Sequence, residues 1–184
     1  MWGTVLKRDL LGETREEDKF YTREKLQEYL KSEIEKQGEN VVIRNLDVSL
    51  IEDLSDLFYG YNSIKTLDIS GWKTSEVNNI AGMFYNCEKL ESLDISGWDI
   101  SNVKDMSFMF NDCFNLKDLD LSGWKTSNVE DTSWMFFRCE NLKSLDLSGF
   151  VVSSVKNMGN MLCECPAPYE VVDHKIVKIC GEQF

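Results

Sequence analysis

A chain of 184 residues can form one domain with its own core, and its 42% apolar content is ordinary for a soluble globular protein. No apolar run approaches the ~20 residues of a membrane-spanning helix. The net charge of −12 disfavours direct binding to nucleic acid or anionic lipid, whose phosphates need Lys and Arg. Residues 41–184 carry 22 acids and 12 bases, against 10 and 8 in residues 1–40, so the acidity belongs to the body of the chain and suits a basic partner.

Residues 1–19 are polar and charged, with Arg8, Asp9, Glu13, Arg15, Glu16, Glu17 and Asp18, and lack the apolar core of a secretory signal. The expected compartment is the cytosol. Secretion or surface display is the alternative, if a leader lies outside this stretch. Residues 20–40 predict a capping helix. Over Thr22 to Gln37 the residues Leu26, Tyr29, Leu30 and Ile34 make one apolar face, Thr22 is an N-cap and Gly38 a stop.

Residues 41–165 are organised by self-similarity, which outranks local propensity as a fold signal. Leu67-Asp68-Ile69-Ser70-Gly71-Trp72, Leu93-Asp94-Ile95-Ser96-Gly97-Trp98, Leu119-Asp120-Leu121-Ser122-Gly123-Trp124 and Leu145-Asp146-Leu147-Ser148-Gly149-Phe150 match at a constant step of 26 residues. Ile64, Leu90, Leu116 and Leu142 extend the match to L-x-x-L-x-L-x-x-W, a leucine-rich-repeat pattern with an aromatic at the last position. The first half of each copy alternates, Leu67 and Ile69 inward and Asp68 and Ser70 outward, and reads as a strand. In the second half Val77, Ile80, Met83, Phe84 and Cys87 recur three or four apart and predict a short helix, with Ser75, Ser101, Ser127 and Ser153 as N-caps. A degenerate first coil has Val41 and Ile43 at strand positions and Ser49, Ile51, Leu54 and Phe58 at helix positions. The expected fold is an α/β leucine-rich-repeat solenoid of five coils, a right-handed coil with a parallel sheet on one face and short helices on the other. Residues 166–184 close it: Pro166-Ala167-Pro168 breaks the pattern, and Tyr169 to Cys180 reads as a strand or hairpin through Val171, Val172, Ile176, Val177 and Ile179.

The cysteines follow the repeat. Cys87, Cys113, Cys139 and Cys165 are 26 apart, which predicts a buried column of reduced thiols rather than a disulfide framework. Trp72, Trp98 and Trp124 with Phe150 predict a second core column in preference to a sugar-stacking surface. Catalysis has little to work with, because His174 is the one histidine and lies in the tail. Cys163, Cys165, His174 and Cys180 are enough ligands for zinc, but Cys-x-Cys is not the usual spacing and Cys165 belongs to the core column. A Cys163–Cys180 disulfide is the alternative for an exported protein. Neither an enzyme nor a metal or cofactor site is expected.

The segment Leu93 to Phe110, L-D-I-S-G-W-D-I-S-N-V-K-D-M-S-F-M-F, and Lys125-Thr126-Ser127-Asn128-Val129-Glu130-Asp131 after it, resemble the BspA-like leucine-rich-repeat family of bacterial proteins. Thr22 to Phe58 is similar to the N-terminal cap of that family, and the resemblance covers roughly residues 20–165. It implies a binding protein without catalytic residues, of a kind mostly found on bacterial or protist surfaces and thought to bind proteins. The candidate site is the outward strand face: Lys65, Glu91, Lys117 and Lys143; Thr66, Ser92, Asp118 and Ser144; Asp68, Asp94, Asp120 and Asp146; Ser70, Ser96, Ser122 and Ser148. Along it the lysines are expected to offset the Asp column, with Glu91 interrupting their row. A solvated, partly paired acidic ladder is the plain reading of that column. Its side-by-side carboxylates do not wrap a calcium ion with the six to eight oxygens it takes. The expected function is protein binding to a basic partner. The alternatives are an acidic, phage-type inhibitor that occupies the channel of a nucleic-acid enzyme, and a surface adhesin.

Overall fold

The computed structural model describes residues 19–147, 149–166, 169–172 and 175–178. Helix α1 runs Arg23–Gln37. Its start and stop are those the sequence predicts: Thr22 accepts a hydrogen bond from the Lys25 N–H, and Gly38 closes the helix at φ 72°, a conformation glycine adopts without steric cost. The buried face is Leu26, Leu30 and Ile34.

Five short strands follow: β1 Asn40–Val42, β2 Thr66–Asp68, β3 Ser92–Asp94, β4 Asp118–Asp120 and β5 Ser144–Asp146. They form one parallel sheet in sequence order. Asn40 lies opposite Thr66, Thr66 opposite Ser92, Ser92 opposite Asp118, and Asp118 opposite Ser144. Each residue is thus paired with its equivalent 26 positions on. The described part of the chain is an α/β fold with a single helix and this sheet. The tail is an antiparallel pair, β6 Tyr169–Val172 and β7 Lys175–Lys178, as the sequence suggests. The Tyr169 hydroxyl accepts a hydrogen bond from the Leu147 N–H at 3.4 Å, tying that pair to the end of the last copy.

The predicted short helices are not there. Among the described residues the second half of every copy is a run of turns, and α1 is the only helix. The apolar spacing was a good signal of burial, since Val77, Ile80, Met83, Phe84 and Cys87 are all buried. It came from successive turns. Met83 donates to Ile80 O, Cys87 to Phe84 O and Leu90 to Cys87 O, so a three-residue step returns the chain to the core without a helix. Other amides in this stretch leave the copy altogether: Asp56, Phe58 and Gly60 donate to Ala81 O, Met83 O and Tyr85 O of the next one. A right-handed helix would use those donors internally. It would also exclude the positive φ found at Asp56, Asn86, Phe108, Asp112, Trp134 and Arg138. The serines read as N-caps therefore have nothing to cap: Ser101 donates its N–H to Asp99 Oδ1, and Ser75 bonds to Glu76.

The turns form a second ladder. Asp53 bridges Asn79, Asn79 bridges Asp105, Asp105 bridges Asp131, and Asp131 bridges Asn157, all parallel. Between this ladder and the sheet lies the core. Phe58, Phe84, Phe110 and Phe136 stack with centroids 5.5, 5.5 and 5.4 Å apart. Trp72 and Trp98 stack at 5.8 Å, and their indole N–H groups donate to Ile43 O and Ile69 O of the preceding copy. Trp72, Trp98 and Trp124 are buried, so the tryptophan column is core, and the indole dipoles of Trp72 and Trp98 are satisfied by main chain.

Candidate interaction surfaces

The outward strand residues share one face, as their alternation requires. Leu67, Leu119 and Leu145 are buried and Leu93 half-buried, while Asp94, Asp118, Asp120 and Asp146 are exposed. Asp68 stands beside Asp94 and Asp120 beside Asp146 in the register of the sheet. Ser96 and Ser122 are exposed and Ser70 half-buried on the same face. Ser148 lies outside the described residues.

The Asp column is built into the fold as well as displayed. Asp68 Oδ1 accepts both the N–H and the hydroxyl of Ser70, Asp120 Oδ1 does the same with Ser122, and Asp94 Oδ1 accepts the Ser96 N–H. Each carboxylate closes the turn that ends its strand. The spacing Asp-x-Ser recurs on the second ladder, where Asp105 and Asp131 hold Ser107 and Ser133. This signal was present in the sequence and the alternation pattern hid it. It also means that Asp94 and Asp120 are not free to be exchanged for lysine without breaking a turn.

Electrostatics follow the same contacts. Burial raises the Asp68 carboxyl pKa, but hydrogen bonds from Arg44 and Ser70 outweigh it and leave the net shift downward. Asp120 is lowered by the Ser122 N–H and hydroxyl, with neighbouring Asp146 acting the other way. The expected offset of this column by lysines does not occur as predicted. Lys65 pairs with Glu39 at 2.7 Å and Lys117 with Glu91 at 2.5 Å, each partner lying one copy earlier in the same row. Glu91 does not interrupt the lysine row; it is the partner of Lys117. Lys143 is exposed. Asp68 of the column is ion-paired with Arg44.

The thiol column is confirmed for three members and corrected for one. Cys87, Cys113 and Cys139 are buried, and their Sγ–H groups donate to Phe58 O, Phe84 O and Phe110 O at 3.0–3.1 Å. Cys165 is only half-buried, because no further copy of the array covers it. Cys87, Cys113, Cys139 and exposed Cys163 are free thiols. His174 and Cys180 lie outside the described residues, and with them the zinc and disulfide readings.

A second surface was not foreseen. A cleft of about 710 Å³ opens between α1 and the turns, lined by Tyr59, Tyr61, Tyr85, Glu24, Glu28 and Asp56 among others. Tyr59 and Tyr85 pack edge to face at 5.2 Å, and the row continues through Phe108 to Trp134 at 6.2 and 6.1 Å. Tyr59 and Tyr85 are 26 residues apart, so the repeat spacing could have revealed them.

A parallel sheet ordered by a 26-residue register, with exposed carboxylates and no helix among the described residues able to cross a membrane, defines a sheet-faced α/β protein. The family model described as "Mycoplasma protein of unknown function, DUF285" matches residues 26–144 and again 52–173. The chain belongs to that family. The second match starts 26 residues after the first, which is the sequence period itself. No curated protein and no solved structure matches the chain.

Proposed function

We propose that the chain is a leucine-rich-repeat solenoid of the BspA-like kind. In this reading it is a non-enzymatic protein-interaction module that presents a rigid acidic face to a basic protein partner. Its parts are then the segment 1–19, a cap over 20–40, five coils over 41–165 and a closing cap over 166–184. The constant 26-residue register and the self-overlapping family match support the solenoid.

One observation carries the function. The exposed carboxylates of Asp94 and Asp120 are held by main-chain turns, with Asp118 and Asp146 exposed beside them, while Lys65 and Lys117 are taken up by glutamates. Fixed charges lose little freedom on binding, so their attraction for a basic partner is not spent on ordering them.

The test is the triple variant Asp94→Asn, Asp118→Lys, Asp120→Asn. Asparagine keeps the oxygen that closes each turn and removes the charge. A pull-down from native cytosol supplies the partner. Wild-type affinity should fall as salt rises, since the Debye length shrinks from ~10 Å at 0.1 M to ~3 Å at 1 M. The variant should bind at least about tenfold more weakly at low salt while remaining folded. Wild-type affinity in the folded variant removes the sheet face as the site.

A further inference from the structure

The cleft beside α1 joins two kinds of group. Tyr59, Tyr61 and Tyr85 supply aromatic faces, and Glu24, Glu28 and Asp56 supply three carboxylates against the single Lys31 of the lining. Asp56 is exposed, and its Oδ1 lies over Gly82 of the next copy, where a Cβ would meet it at 2.2 Å, so the position of this carboxylate depends on that glycine. Among the described residues no cation forms an ion pair with Glu28 or Asp56. Aromatic faces attract a cation through their quadrupole, and nearby carboxylates add to that attraction.

The row leading away from the cleft has its own oddity. Asp56, Gly82, Phe108, Trp134 and Asn160 occupy one position of successive copies, all at φ between 54° and 60°. Asp, Gly and Asn tolerate this left-handed conformation, whereas bulky Phe and Trp are strained in it. Phe108 is nevertheless 38% exposed and Trp134 only half-buried, their rings parallel within 4°. Core packing gains little from such placement. A surface that contacts apolar groups of a partner gains directly.

We propose that the cleft binds a cationic side chain, arginine or lysine, of an extended peptide segment in a partner protein, and that Phe108 and Trp134 receive the flanking apolar residues. This goes beyond the sheet-face reading. It concerns another surface, and either can fail alone.

The probe is a capped peptide with a single arginine between glycines, added at physiological salt to the full chain carrying isotope-labelled tyrosine. The expected result is a saturable shift of the Tyr59 and Tyr85 ring resonances. The peptide with citrulline, which keeps the shape and drops the charge, should leave them in place. A lysine peptide and its acetyl-lysine counterpart should differ in the same way. Tyr85→Ala should weaken binding at least about tenfold; because that ring contributes to packing, the milder Asp56→Asn should do the same in a protein of unchanged unfolding temperature. The sheet-face triple variant should bind the peptide as wild type does, which separates the two surfaces. Equal binding of arginine and citrulline peptides, or tyrosine rings that do not respond, overturns the proposal. So does a shift of the same rings in Arg8→Gln/Arg15→Gln without peptide, which would assign the cleft to the chain's own N-terminal segment.

Discussion

The carboxylate of a strand-ending aspartate is at once a display group and a turn lock. Asp68 and Asp120 hold Ser70 and Ser122 by N–H and hydroxyl, and Asp47 and Asp99 hold Ser49 and Ser101 in the same way. The pKa of each of these four carboxyls is lowered in the folded protein. Their stabilisation is then fully present above the unfolded carboxyl pKa, ~3.9, and is lost as pH falls through the depressed folded values. Melting temperature should therefore hold between pH 7 and 5 and drop below about pH 4. A protein equally stable at pH 3 and pH 7 contradicts the turn-lock role. The thiols make the opposite case. Burial pushes Cys87 up to about 12 and Cys113 and Cys139 well above the ordinary thiol range. Since the thiolate is the reactive form, native alkylation should modify exposed Cys163 quickly and leave Cys113 and Cys139 untouched until denaturant is added. Rapid native labelling of the two buried thiols is the contrary result.

At the scale of elements, a three-residue strand buries one side chain and is nothing alone. Strand β4 exists because β3 and β5 flank it and because the turn ladder holds the other edge of the same copy. Leu119 is its inward residue, 4% exposed. Leu119→Asp puts a charge into this core without a partner and should cost about 4 kcal/mol or more. Both neighbours lose an interface, so thermal unfolding should fall for the whole array and not for one segment. An unchanged melt would show that the inward and outward positions are misassigned.

For the molecule as a whole, the ends decide whether such an array stands alone. An open parallel sheet exposes unpaired edges and invites further pairing. Here Leu26, Leu30 and Ile34 of α1 are buried at the first copy, and Tyr169 of the terminal pair is 9% exposed and bonded to Leu147 at the last. Among the described residues, the sheet face and the tyrosine-lined cleft are surfaces open to partners. Salt tells them apart. Binding through exposed sheet-face carboxylates should weaken steeply as salt rises, whereas the share of cleft binding that comes from ring faces and apolar contact should persist.

The sequence alone was enough for what depends on spacing. The 26-residue step fixed the strand register, the alternation Leu67-Asp68-Ile69 fixed which residues point inward, and Thr22 and Gly38 marked the helix ends to the residue. These features are local or strictly periodic, so each copy carries its own instruction. What it misjudged were cases where two different structures share one spacing. A three-to-four-residue apolar step is made by a helix and by consecutive turns alike. Only the hydrogen bonds from Asp56, Phe58 and Gly60 to the next copy, which depend on how copies stack, select the turns. Likewise Lys117 could face the Asp column or Glu91, and the stacking distance gave it to Glu91. The cleft had no signal in any single copy. It forms where α1 meets the turns, and its tyrosines and carboxylates come from parts of the chain that tertiary packing alone brings together.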